Sequence, residues 1–206
     1  MLVSKVFIKK KPELFMQNAF FMKEALVYLD KSVIFVMLSP KQANDALIFT
    51  ITSILSQSQK SLIYVSLTTP GEEVLSKINK LYLERVRVID AFSKDAQSSG
   101  ANITTVNNSD LTGMQIAIER AEKALSGEKI IIFDALNTLS VYSKQNEIGK
   151  FLHHFSNKTR LKENSAIIFT VKESTNPEII EMSKEFADKT FDYSEMFVSA
   201  ITLAES

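Results

Sequence analysis

Lys129-Ile130-Ile131-Ile132-Phe133-Asp134 sets four large apolar residues in a row, three of them β-branched, and closes them with an acid. A run this short and this uniformly apolar reads as a strand buried on both faces, as in a parallel sheet covered by helices on each side. Ser32–Leu38, Ser61–Leu67, Val86–Ile89 and Ala166–Val171 carry the same signature. Between them the period changes. Ala43–Gln57 places Ala46, Leu47, Phe49, Thr50, Ile54 and Leu55 near one face, and Leu111–Leu125 repeats Met114, Ala117, Ile118, Ala121 and Leu125 at helical spacing. Asn146–Lys162 does so with Ile148, Phe151, Leu152, Phe155 and Leu161, and Gly71–Leu83 reads as a further helix. Strands alternating with helices predict an α/β fold with a mostly parallel central sheet of five strands, flanked by helices.

The ends of this pattern differ from its middle. Residues 1–31 form an N-terminal extension, with Leu2–Ile8 as a candidate edge strand and Glu13–Leu29 as a helix striped by Leu14, Phe15, Ala19, Phe20, Met22, Ala25 and Leu26. Such a stripe must be covered, either by the chain's own sheet or by a protein partner or second copy meeting Phe15, Phe20, Phe21 and Met22. Residues 32–206 read as one domain, with no repeat and no linker. Ser93–Asn108 is rich in Ser, Asn and Thr and reads as a loop prone to disorder.

Composition removes most chemistry. The 206 residues are 45% apolar, enough for a core, and 24 Lys+Arg balance 24 Asp+Glu. No bulk field draws the surface toward nucleic acid or anionic lipid. With no Cys there is neither disulfide nor thiolate, and the two adjacent His make a poor metal centre. The longest apolar runs are six residues, Val33–Leu38 among them, against the roughly 20 of a membrane span. Lys9-Lys10-Lys11 follows the first apolar stretch instead of preceding it, unlike a signal peptide, so a cytoplasmic location is expected.

Ligands in an open parallel sheet collect at the carboxyl ends of its strands, which is where Asp134 falls. An acid at that place either holds the magnesium shell of a nucleotide phosphate or caps the following turn. Lys60-Ser-Leu-Ile-Tyr-Val-Ser-Leu-Thr-Thr-Pro70, Val86-Arg-Val-Ile-Asp90, Ser109-Asp-Leu-Thr112 opening a helix, and Ile130-Ile-Ile-Phe-Asp-Ala-Leu-Asn-Thr-Leu139 with Tyr142 extend the pattern. In this order they resemble the RecA-like ATPase core, and among its members the archaeal relatives of the circadian-clock KaiC ATPases. The resemblance spans Ser32 to Tyr193 and implies a three-layer RecA-like core.

It also implies a nucleotide site that this sequence does not reproduce. The family cradles phosphates in a glycine-rich loop after its first core strand, where backbone N–H groups and a Lys meet the phosphate oxygens. Here that stretch is Ser39-Pro-Lys-Gln-Ala-Asn-Asp-Ala46, with no Gly. Ser39 and Asn44 fall on glycine positions, Asp45 on the Lys and Ala46 on the magnesium-binding hydroxyl. A carboxylate beside a triphosphate is repelled by about 4 kcal/mol per close charge pair at an effective dielectric of 20. The family's water-orienting acids after the next strand map to Thr68 and Thr69, whose hydroxyls are no general bases near neutral pH. Glu72 and Glu73 follow them and suit the first turn of a helix.

The expected function is therefore a non-catalytic RecA/KaiC-like domain that binds or regulates a protein partner and uses no cofactor. The alternative is an ATP-binding or slowly hydrolysing ATPase, with Asp134 serving magnesium and Lys41 the phosphate; otherwise Lys41 is a solvated lysine at a helix start. A receiver-like signalling domain shares the layout but would need acids clustered after its first strands. His153 and His154 face about 100° apart on a helix and read as surface residues. A Ser66–His153–Asp134 hydrolase lacks its Gly-x-Ser-x-Gly elbow. Lys158, Arg160 and Lys162 read as a solvated, dipole-complementing helix end, and no aromatic-basic stripe suggests single-strand binding.

Overall fold

The computed structural model describes residues 27–93 and 100–194. The apolar runs become β1 (Val33–Leu38), β2 (Ser61–Ser66), β3 (Val86–Asp90), β5 (Lys129–Phe133) and β6 (Ser165–Val171). β1 and β2 are buried along their whole length. Two further strands, β4 (Ile103–Thr105) and β7 (Lys189–Asp192), complete a seven-stranded sheet ordered β4-β3-β2-β5-β6-β1-β7. Every pairing is parallel.

Strand periodicity divides the core between the two sheet faces. Val33, Phe35 and Met37 of β1, with Ile131 and Phe133 of β5, face one side. There they meet α3 (Leu111–Ala124), α5 (Gln145–Leu161) and α6 (Pro177–Phe186) through Met114, Ile118, Leu152, Phe155 and Ile179. Ile34, Val36, Leu38, Ile130 and Ile132 face the other side, against α1 (Pro40–Gln57) and α2 (Gly71–Ser76) through Leu47, Ile51 and Val74. A short α4 (Leu139–Tyr142) follows β5. Each buried side chain of this size contributes about 1.5–3 kcal/mol, so doubly covered strands anchor the whole fold.

Several local expectations are corrected. The stretch from Ser93 to Asn108 was expected to be loop throughout, yet it contains β4, which pairs with β3 at the sheet edge. β7 gave no apolar run because three of its four residues stay exposed. The helix expected over Gly71–Leu83 stops at Ser76 and resumes as a 3-10 turn over Lys80–Arg85. Asn79 caps the second piece, its side chain accepting from Leu81 N at 3.0 Å. Leu161, assigned to the buried stripe of α5, is 85% exposed. It lies about 240° around the helix from Phe155, and Thr159, four residues after Phe155, takes the buried place. The expected strand Leu2–Ile8 and the expected helix Glu13–Leu29 as far as residue 26, with Phe15, Phe20, Phe21 and Met22, lie outside the described residues. Among the described residues, no helix is long and apolar enough to cross a membrane.

Candidate functional site

The chain leaves β1, crosses to β2, builds outward to β4, and returns so that β5 and β6 fill the gap between β2 and β1. Because all strands are parallel, the segments following β1, β2, β5 and β6 meet at one edge of the sheet, beside the point where the order reverses. A cavity of about 350 Å³ opens there, within the range of ligand pockets. Pro40 and Asn44 border it from α1, Thr68 and Thr69 from the turn after β2, and Asp134 and Ala135 from the end of β5.

After β1 there is no loop. Ser39 is the N-cap of α1 and Pro40 its first residue, a favoured place for Pro because no N–H is needed. Gln42 turns back over the helix start: its Oε1 accepts from Ser39 N and from Ser39 Oγ, each at 2.8 Å. Its Nε2 donates to the Tyr193 carbonyl at 3.2 Å, and Gln42 is 1% exposed. The Ser-x-x-Gln spacing of a capping box announces this arrangement in the sequence. Lys41 stands exposed in the first turn and does not line the cavity that holds Asp134, so the structure does not bring the two together.

Asp134 is 1% exposed at the carboxyl end of β5. Its Oδ2 accepts from Thr68 Oγ1 at 2.7 Å, while its Oδ1 makes no hydrogen bond among the described residues. Burial pushes its carboxyl above the ordinary range, opposed only in part by Thr68 and by the adjacent Tyr64 phenol. Tyr64 is raised well above its ordinary value by its own burial, then by the charge of Asp134. Thr68, aligned with a water-orienting acid, thus spends its hydroxyl on the neighbouring carboxylate. Ala135 adopts a left-handed backbone with φ of 58°, a conformation costly for a residue with a Cβ.

Asp90, at the end of β3, is satisfied throughout. It accepts from Gly71 N at 2.8 Å, Phe92 N at 3.0 Å, Ser93 N at 2.9 Å and Ser93 Oγ at 2.8 Å. Burial pushes its carboxyl up, but these bonds outweigh burial and hold it below the ordinary carboxylate range. A Cβ on Gly71 would stand 3.1 Å from Asp90 Cβ and 3.2 Å from Ile103 Cγ2, which is why α2 begins with glycine. Nothing in the short sequence around Asp90 separates its role from that of Asp134.

The remaining candidates sit elsewhere. Glu72 and Glu73 occupy the first turn of α2, and Glu73 pairs with Lys77 at 2.7 Å. His153 and His154 are exposed on α5, and the ring of His153 meets Phe186 edge-on. Ser66 donates to the Thr69 carbonyl, so no triad forms with His153 and Asp134. Lys158, Arg160 and Lys162 were expected to be merely solvated. They pair instead with Glu119, Asp188 and Glu122, tying α5 to α3 and to the start of β7. Among the described residues, no cluster of His or acids forms a metal site.

No family model and no curated protein matches the sequence. Solved structures do match. An uncharacterized protein from Pyrococcus horikoshii in complex with an unknown peptide is 12% identical, with a TM-score of 0.62 over 79% of this chain and 77% of its own. A KaiC-like protein from the same archaeon is 10% identical, with a TM-score of 0.54 over 81% and 73% of the two chains. An ATPase domain, also 10% identical, reaches a TM-score of 0.54 over 82% and 72%. Identities this low establish architecture alone, and the architecture is the all-parallel, helix-flanked α/β fold of the RecA-like ATPases.

Proposed function

On this RecA-like frame, we propose that the chain is a non-catalytic module that binds a peptide segment of a protein partner in place of a nucleotide. The observation that carries the reading is the start of α1. Phosphate binding in such folds needs donors held open at the end of the first core strand. Here Pro40 removes one donor and Gln42 consumes Ser39 N and Oγ. Asp45 adds a negative charge near the same turn, and Lys41 stands outside the cavity. Mg-ATP does not fit this donor set. A positively inclined helix start with its donors spent holds a triphosphate poorly. The peptide complex of the uncharacterized archaeal protein lends the fold a peptide-binding precedent.

One observation favours nucleotide: Asp134 Oδ1 is buried without a hydrogen-bond partner among the described residues, at the place of a magnesium-holding acid. Calorimetry and thermal melting with millimolar Mg-ATP separate the readings. A ligand selective for the folded state stabilises it by about 2.7 kcal/mol at one hundred times its dissociation constant. We expect no measurable heat and an unchanged midpoint. A clear rise that Asp134→Ala abolishes would replace this reading with the ATP-binding one.

A further inference from the structure

The cavity beside Asp134 continues as a groove between α1 and α2. Leu47, Ile48 and Ile51 form one wall, and Val74 and Ile78 form the other. Three charged residues line it, Asp134, Glu73 and Lys77. Glu73 and Lys77 neutralise each other in an ion pair of 2.7 Å, so the unbalanced charge is the buried acid at the inner end. That acid accepts from Thr68 on one oxygen and has the Tyr64 phenol beside it, while its Oδ1 has no hydrogen-bond partner among the described residues. A buried carboxylate oxygen lacking a partner is costly, and a ligand that supplies both an N–H donor and a positive charge removes that cost.

We propose that the α1/α2 groove is the peptide site, and that it selects an apolar segment bearing one Lys or Arg whose cationic head pairs with Asp134. The inference rests on the peptide-binding reading above and adds the site and the chemistry of its ligand. Apolar walls receive the aliphatic stem and its neighbours, while the acid reads the charged head, as long cationic side chains bury their stems and expose their ends to a partner. Neutral or anionic segments of equal apolarity gain the walls alone.

Methyl-resolved NMR on the full chain, with hexylammonium, hexanol and hexanoate as matched probes, tests the idea. Hexylammonium should shift the methyls of Ile48, Ile51, Val74 and Ile78 and bind about ten-fold tighter than hexanol, with hexanoate weakest. Acetyl-Leu-Lys-Leu-amide should displace it. Asp134→Asn should bring hexylammonium down to the level of hexanol without altering hexanol itself, and Ile48→Trp, at the half-buried rim, should block all three. Equal affinity for hexylammonium and hexanol in the unaltered chain would overturn the proposal, as would shifts confined to other surfaces. Contacts from Phe15 or Phe20 to Ile48 in the free protein would also overturn it, by giving the groove to the chain's own N-terminal segment. Mg-ATP is titrated in parallel. If it shifts the groove methyls, the peptide-binding reading itself falls; if it does not and hexylammonium shows no preference, only the groove assignment falls.

Discussion

Asp90 and Asp134 close two apolar strands, β3 and β5, that flank β2 on either side, and each is 1% exposed. Around Asp90 four donors converge from Gly71, Phe92 and Ser93, and the carboxylate is held below its ordinary range despite burial. Around Asp134 the Thr68 hydroxyl donates and the Tyr64 phenol lies close, yet among the described residues the buried Oδ1 has no hydrogen-bond partner. The residue lines a cavity, and burial holds its carboxyl above the ordinary range. Two acids in the same kind of place thus do opposite work. The first spends its charge on joining the β3 turn to the start of α2. The second keeps an unpartnered oxygen at the edge where strand order reverses.

The sharpest way to break this contrast is to remove each acid in turn. Asp90→Ala orphans three backbone N–H groups and should cost about 3–5 kcal/mol, because a buried donor left unsatisfied costs about 1–3 kcal/mol and the Phe92 and Ser93 bonds are only part-buried. For a chain of this length that lowers the melting midpoint by about 8–15 °C. Asp134→Asn should stay within about 1 kcal/mol of the unaltered protein, because it relieves the burial of a charge. Equal losses in the two variants would show that Asp134 is as structural as Asp90.

Acidity separates the pair again, with opposite signs. The folded-state value of Asp90 lies below that of the unfolded chain, so its contribution is complete above the unfolded value, about 3.9, and is lost as pH falls through the folded one. The folded-state value of Asp134 lies above that of the unfolded chain, so its contribution is complete below the unfolded value and is lost as pH rises through the folded one. In denaturant titrations at stepped pH, the deficit of Asp90→Ala should shrink in acid. The advantage of Asp134→Asn over the unaltered chain should grow as pH rises above about 4. Parallel curves for both variants would mean that the two carboxyls share one environment.

A smaller effect tests the Thr68 donor. Thr68→Val removes the hydroxyl that donates to the Asp134 carboxylate and should cost about 1–2 kcal/mol. In an Asp134→Asn background the loss should fall by half or more, since a neutral amide tolerates the missing donor better, and a double-mutant cycle reads this coupling directly. The smallest effect is a gain. Ala135 holds φ at 58°, and Ala135→Gly should stabilise by about 0.5–1 kcal/mol, a rise in midpoint of a few degrees. A loss there would mean that the Ala135 methyl packs into the cavity wall more strongly than its backbone is strained.

Five strands were readable because each is covered on both faces, and double cover demands an unbroken apolar run such as Val33–Leu38 or Lys129–Phe133. β4 and β7 were not, because edge strands of three and four residues are covered too little to need one; Ile103 and Phe191 are their sole large apolar residues. Leu161 was misread because apolar identity was taken for position on the helix, whereas Thr159 holds the buried angle. In the site, the absence of glycine from Ser39 to Ala46 and the Ser39-x-x-Gln42 cap are both legible in the sequence, since each is a matter of residues close together in the chain.

What the sequence by itself determined is what local order can determine: layers from period, helix starts from capping residues, and the absence of any glycine between Ser39 and Ala46. Which acid is satisfied and which is open was decided only when Thr68 met Asp134 across 66 positions and Gly71 met Asp90 across 19. Hydrogen-bond satisfaction is a property of whatever the fold brings within about 3 Å, and neither strand end carries in its own residues any record of its distant donors.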